Sequence, residues 1–384
     1  MALDIVTLGM LTLGLTGVDD IVYSKDEEGE QKPSRLGVLG GAGTYAVLGA
    51  RICNFGISHF RISWLVHRGH DFPSPVQDEI DAWGTAVRFT DTPDRPTTRA
   101  KNVYSGELRG FEFVTPKIQV LHTMLDDDQV SAKVFHIIGT PKRCIEAIEG
   151  IKARRSYLWS ENESTKRKTN ALYCREYPTF VWEPMEHSCS PENYSDFRDA
   201  MKLVDVFSPN EDEFLKLIGV NTGAGQELQI EGLCDQASNV LADCDVGILV
   251  IRLGPRGVLI SQSDDDKSVR HTLLPAYYDS ASSNVVDVTG GGNAFLGAFC
   301  SGFVGQFLSP EHNDLDSVEM AGVLGSIAAS FAIEQIGMPK IGVIKNREEQ
   351  SGYEEGWNGE SVKARTLKFL DRNCKVHRWR TKPV

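Results

Sequence analysis

Short runs of β-branched and apolar residues alternate along this chain with longer stretches of helical periodicity. Ile5-Val6-Thr7-Leu8-Gly9 is a compact apolar run closed by glycine, the pattern of a first buried strand. Leu36 to Ile52 begins glycine-rich and becomes helical, Arg61–Val66 and Thr85–Phe89 read as further strands, and Val134–Gly139 leads into a helix over Pro141–Ala153. Thr179–Trp182 fits another buried strand; Trp182 reads as a core aromatic, although Glu183-Pro184 beside it could lie where strand ends face a cleft. A helix over 193–202, a short strand Val204–Phe207 and a helix Glu211–Ile218 stopped by Gly219 follow. Gly247 to Gly254 is the clearest buried strand, with Val258–Ser261 as its hairpin partner after a glycine turn. Helices over Ala294–Phe303 and Ser317–Gln335 complete the pattern. Polar stretches at 22–35, 154–170 and 346–361 read as loops or exposed insertions.

Strands alternating with helices predict an α/β fold with a mostly parallel sheet covered on both faces. The antiparallel-looking stretches near 10–25 and 97–115 do not fit that sheet and are assigned to a small β lid over one edge. Arg99 and Lys101 follow the turn at 91–98, from which they could reach a substrate phosphate.

Charge narrows the functional classes. The 384 residues carry 40 basic and 53 acidic side chains, a net charge of -13, which argues against a nucleic-acid partner because that needs a basic surface to displace counterions. The eight cysteines are scattered without a CxxC pair and read as reduced structural thiols. The nine histidines form no ligand-spaced cluster, so no transition-metal site is expected. The N-terminus lacks a basic leader, and no apolar run approaches the ~18 residues that span a bilayer, so a cytoplasmic protein without a membrane partner is expected.

The chemistry concentrates at Asp287-Val288-Thr289-Gly290-Gly291-Gly292-Asn293, read as a strand feeding three glycines and then a small-residue helix. Bare amides at a helix start favour an anion by hydrogen bonding and by the helix dipole. The bland alternative is a glycine-rich helix entry needed only for packing. It is not a Walker A loop, since no lysine follows the glycines. The segment resembles the second signature of the ribokinase-like (PfkB) carbohydrate kinases, D-T-x-G-A-G-D. The resemblance implies a three-layer ribokinase-like fold over residues 1–345, with 346–384 as a C-terminal extension completing the domain. It also implies that Gly290, Gly291 and Gly292 form the hole for the transferring phosphate, with Asp287 and Thr289 on the nucleotide side. The last position, the family's catalytic base, is Asn293 here.

Other segments follow the family's order. Pro209-Asn210-Glu211-Asp212-Glu213 resembles its P-N-x-x-E element, which implies Asn210 and Glu213 as organisers of Mg²⁺ through water; read alone, it is an N-capped helix. Arg252-Leu253-Gly254-Pro255-Arg256-Gly257 resembles the T-x-G-x-x-G turn near the nucleotide, placing Arg252, Gly254 and Gly257 at the cofactor. Gly40, Gly41 and Thr44 fall in the glycine signature that contacts a sugar-like acceptor, and Asp19 or Asp20 in the opening G-x-x-x-D-x-I. Gly325, Ala328, Ser330 and Gly337 lie on the segment resembling the adenine-side helix.

The implied function is ATP-dependent phosphoryl transfer to a hydroxyl of a sugar- or nucleoside-like molecule, slow or repurposed because an amide cannot take a proton at neutral pH. Asn293→Asp is expected to raise transfer if the acceptor site is intact. A non-catalytic regulatory protein that binds nucleotide or sugar on the same fold is the main alternative. An NADP-dependent oxidoreductase is a third reading, from Gly41-Ala42-Gly43-Thr44-Tyr45-Ala46 with Arg68 after the next strand. Free edges of the lid strands could pair two subunits into a homodimer.

Overall fold

The computed structural model describes residues 3–16, 35–54, 58–105, 108–165, 176–221, 228–264, 266–304, 315–345, 352–372 and 376–381. In chain order the first elements are β1 (Ile5–Thr7), β2 (Thr12–Thr16), β3 (Arg35–Gly40), α1 (Ala42–Ile52), β4 (Ile62–Gly69), α2 (Ser74–Ala82) and β5 (Ala86–Thr92). Next come β6 (Arg99–Ser105), β7 (Leu108–Phe113), α3 (Asp127–Val130), β8 (Val134–Gly139), α4 (Pro141–Thr165), β9 (Thr179–Pro184), α5 (Tyr194–Met201) and β10 (Val206–Phe207). The C-terminal half adds α6 (Glu211–Leu217), α7 (Ile230–Cys244), β11 (Ile248–Arg252), β12 (Val258–Ser263), β13 (Val269–Leu274), α8 (Gly291–Ser301) and α9 (Ser317–Ala332). It closes with β14 (Ile341–Lys345), β15 (Tyr353–Trp357), α10 (Val362–Arg372) and β16 (His377–Thr381).

Ten strands form one sheet in the order β16-β13-β12-β11-β10-β9-β8-β1-β4-β5. From β5 to β11 every pairing is parallel, and β12, β13 and β16 add antiparallel pairings at one end. The apolar runs are explained by burial on both faces: Ile5 and Val134 join the core under α1, α8 and α9, while Val6 and Phe135 join the opposite core under α4 to α7. Strands β3, β2, β6 and β7 form a separate four-stranded sheet.

Several expectations change. Within the stretch 154–170, residues 154–165 continue α4 as helix, held at Arg155, which is buried and donates to the Val130 and Ala132 carbonyls, while 166–170 lie outside the described residues. The stretch 346–361 is not all loop, since β15 within it pairs with β14; beyond it α10 follows and β16 pairs with β13. No strand precedes the glycines; residues 285–288 run extended beside α9, with the Val286 N–H donating to the Ile333 carbonyl. Arg99 is held on Asp71 through two hydrogen bonds at 2.7 and 3.2 Å. The segment holding Asp19, Asp20 and residues 22–34 lies outside the described residues.

Candidate active site

The parallel strands deliver their C-terminal ends to one edge. There β9 ends in Glu183-Pro184, β10 leads through Ser208 to Asn210, and β11 ends at Arg252; Asn210 and Arg252 are bridge partners. A charged residue closing an otherwise apolar strand has nowhere to go except that edge, and Glu183 and Arg252 meet across it. Arg252 Nη1 donates to Glu183 Oε1 at 2.7 Å, and Nη2 donates to the Ser208 carbonyl at 3.1 Å. Glu183 Oε2 accepts from the Asn293 amide at 2.8 Å and lies 3.5 Å from His136 Nε2.

Helix α8 brings Asn293 to this edge. It crosses α1 on small residues: an added Cβ at Gly49 would enter the Ala294 carbonyl, and one at Gly297 the Ala46 carbonyl. The same crossing puts the N-cap of α1, Gly41, beside strand β2, where φ of 99° and the Met10 carbonyl leave no room for a side chain. Gly290, with φ of 78°, caps α8 and lies flat on the Tyr45 ring. The left-handed turn folds the Val288 carbonyl onto the Gly291 N–H at 3.2 Å, so not all three glycine amides are bare. Gly292 and Asn293 remain as first-turn donors with no carbonyl behind them in the helix. Gly292 faces the Arg252 guanidinium, which an added Cβ would overlap. The glycine turn therefore opens toward the Asn210–Glu213 element.

Two carboxylates share one guanidinium, and they respond in opposite directions. Burial would raise the Glu183 carboxyl, but the Arg252 charge, His136 and the Asn293 amide outweigh it and hold it at about 2. Burial pushes Glu213 up to about 7, because Arg252 Nη2 stands off at 3.5 Å and Glu183 adds a like charge. One cation serves the nearer anion.

The remaining candidates divide between cavity and scaffold. Arg252, Gly254, Gly257, Gly291 and Gly292 line a cavity of about 390 Å³, closed by Tyr277, Tyr278 and α9. The α9 face is Ser326, Ala329, Ser330 and Ile333; Gly325 instead packs on Phe295, and Ala328 is fully buried in the core. Asp287 Oδ1 accepts from the backbone and the hydroxyl of Thr289 at 2.9 and 2.6 Å, which ties the pair into the turn. Thr44 is buried and its hydroxyl donates to the Gly40 carbonyl at 2.8 Å. Asn210 and Glu213 form a reciprocal cap: Asn210 Oδ1 accepts the Glu213 N–H at 2.8 Å, and Glu213 Oε2 accepts the Asn210 N–H at 2.7 Å. Trp182 is a core aromatic, its indole donating to the Gly139 carbonyl at 2.9 Å. The dinucleotide reading fails on context, since β3 before Gly41 pairs antiparallel with β2 in the small sheet and Arg68 pairs with Asp91.

A mostly parallel sheet between two helical layers, a four-stranded side sheet and a glycine-capped helix aimed at the strand ends define the ribokinase-like class of α/β proteins. Residues 184–340 match the pfkB family carbohydrate kinase profile. Protein MAK32 of Saccharomyces cerevisiae is 33% identical over 381 residues, covering 94% of this chain and 90% of that protein. The ribokinase structure from Giardia lamblia superposes with a TM-score of 0.62 at 17% identity, covering 97% of this chain and 99% of that one. Arabidopsis thaliana ribokinase, complexed with ribose and ATP, gives 0.59 at 17% identity over 96% and 99%. The chain belongs to the pfkB family of carbohydrate kinases.

Proposed function

We propose that the protein transfers a phosphoryl group from ATP to a hydroxyl of a sugar- or nucleoside-like small molecule in the cytoplasm, with low turnover set by Asn293. One observation carries this reading: Arg252 and the first two residues of α8, Gly291 and Gly292, line a cavity of about 390 Å³ at the strand ends, and the next residue, Asn293, is held on Glu183, the anchor of Arg252. Phosphoryl transfer depends mainly on positioning and on stabilising charge over the transferring oxygens. The Gly292 and Asn293 amides with the dipole of α8 supply the first part of that charge, and Arg252 the second. Asn293 can orient an acceptor hydroxyl but cannot take its proton, and loss of a general base costs about 10²–10⁴ in rate.

The magnesium element implied by the family fits poorly as direct ligands. Asn210 and Glu213 each spend an oxygen on the other's backbone, and Arg252 holds a positive charge 3.5 Å from Glu213 Oε2. No step is assigned to a metal here.

The test is calorimetry with ATP beside ADP release measured over a panel of sugars and nucleosides. Binding with slow, acceptor-dependent ADP release supports the kinase. Binding without release from any acceptor points to the regulatory reading, which the engagement of Asn293 by Glu183 favours. No nucleotide binding overturns the kinase reading, and no binding of nucleotide or of any sugar in the panel overturns the regulatory one as well.

A further inference from the structure

We propose that Arg252 takes the electrostatic place of the divalent cation in this site, so that the protein binds the phosphates of a nucleoside triphosphate without metal. The inference rests on the nucleotide reading above and concerns what neutralises the phosphate charge.

The geometry of Arg252 is that of a fixed cation aimed at the phosphate turn. Its guanidinium lies directly against Gly292, where an added Cβ would push it aside, and both residues line the same cavity. Nη1 is anchored on Glu183 and Nη2 on the Ser208 carbonyl. Nε is buried and has no partner among the described residues, so the charge is presented to the cavity by the two Nη groups. A guanidinium stays charged at every working pH and matches phosphate oxygens with paired donors.

The same arrangement works against a metal. At a phosphate site Mg²⁺ keeps several waters and takes one or two carboxylates beside the phosphate oxygens, so what matters is whether one carboxylate is free for it. Here Glu183 is turned to Arg252 and Asn293, Glu213 and Asn210 cap each other, and an amide stands at 293 in place of a carboxylate. A divalent ion would also sit within a few ångströms of a permanent positive charge, where like charges repel by about a kcal/mol or more even in a watery dielectric.

Titration of the full chain with ATP in excess EDTA and in excess Mg²⁺ decides it. The expected dissociation constants agree within about threefold, about 0.7 kcal/mol at RT ln 3. Affinity about tenfold or more better with Mg²⁺ overturns the proposal. Absence of binding in both buffers overturns the nucleotide reading itself, so the two failures are distinct. Arg252→Gln should lose about tenfold or more in EDTA and regain part of it with Mg²⁺, a change in metal dependence that a merely structural residue would not cause. If that variant unfolds because Glu183 is left unpaired, Arg252→Gln/Glu183→Gln replaces the ion pair by a neutral one and is read the same way. Undiminished affinity in EDTA for either folded variant sinks the assignment.

Discussion

Asn293 donates to Glu183 Oε2 at 2.8 Å, and that bond decides what one substitution can do there. Writing a carboxylate into position 293, which the sequence alone recommends as a gain of function, would face it with the Glu183 carboxylate. Arg252 already neutralises Glu183 on its other oxygen and cannot serve a third anion. Asn293→Asp should therefore destabilise the fold by about 1–3 kcal/mol, as expected for a buried acceptor left facing an acceptor. By itself it should not raise phosphoryl transfer. Asn293→Asp/Glu183→Gln restores a donor opposite the new carboxylate, and this pair should recover the melting temperature and show the larger gain in acceptor-dependent ADP release. A single Asn293→Asp variant that melts like the parent and turns over faster would show that Glu183 is no obstacle. Glu183 was half legible from the chain: Glu183-Pro184 could lie where strand ends face a cleft, but its role as the anchor of Arg252 and Asn293 was not marked. The available signal was that β9 and β11 both close on a charge, and parallel neighbours end at the same edge.

At the scale of elements, the site is positioned by the α1–α8 crossing, and the crossing is set by glycines. A methyl at position 297 of α8 would drive into the Ala46 carbonyl of α1. Backbone cannot yield as a flexible side chain does, so Gly297→Ala should cost about 1–3 kcal/mol or more. It should also weaken ATP binding, because α8 carries Gly292 and Asn293 away from Arg252. Chemical denaturation and the ATP titration check the two effects together; loss of stability with unchanged affinity would separate the crossing from the site. Element type was largely legible where periodicity was strong. Gly219, with φ of 71°, ends α6 where its glycine stop implies, and β8 spans Val134–Gly139 as its apolar run indicates. The strand expected before the glycines was illegible for a physical reason: Val286 and Val288 are 58% and 63% exposed, so the apolar run is a surface segment pinned to α9.

The last described segment of the chain supplies the end strand of the main sheet, a strand that its polar pattern does not mark even where 346–384 is read as completing the domain. β16, His377-Arg378-Trp379-Arg380-Thr381, pairs over its own full length with Val269–Leu273 of β13. Its side chains satisfy buried polar groups elsewhere. Arg378 donates to both oxygens of Glu319 at 2.8 Å, and Glu319, 1% exposed on α9, also takes the Thr272 hydroxyl. Thr381 bonds His271 at 2.7 Å, whose other nitrogen meets Ser261, and burial holds that imidazole down at about 4. A histidine kept neutral in this way contributes stability that is present above its unfolded value near 6.5 and is lost as pH falls through about 4. Removing residues 376–384 should thus strip Glu319 of its cation, bare the edge of β13 and free His271 to protonate near its ordinary value. The melting temperature at neutral pH should fall by several degrees, since leaving one buried carboxylate unpaired costs about 3–5 kcal/mol. The shortened chain should also lose less stability than the full chain between pH 6.5 and 4, because its histidine no longer differs from the unfolded state. Since α9 forms one side of the cavity through Ser326, Ala329 and Ser330, ATP affinity should drop with it. Parallel pH–melting curves for the two chains, with an ATP titration at neutral pH, read all three effects. Curves that differ by a constant offset would mean that β16 is a packing strand with no hold on His271.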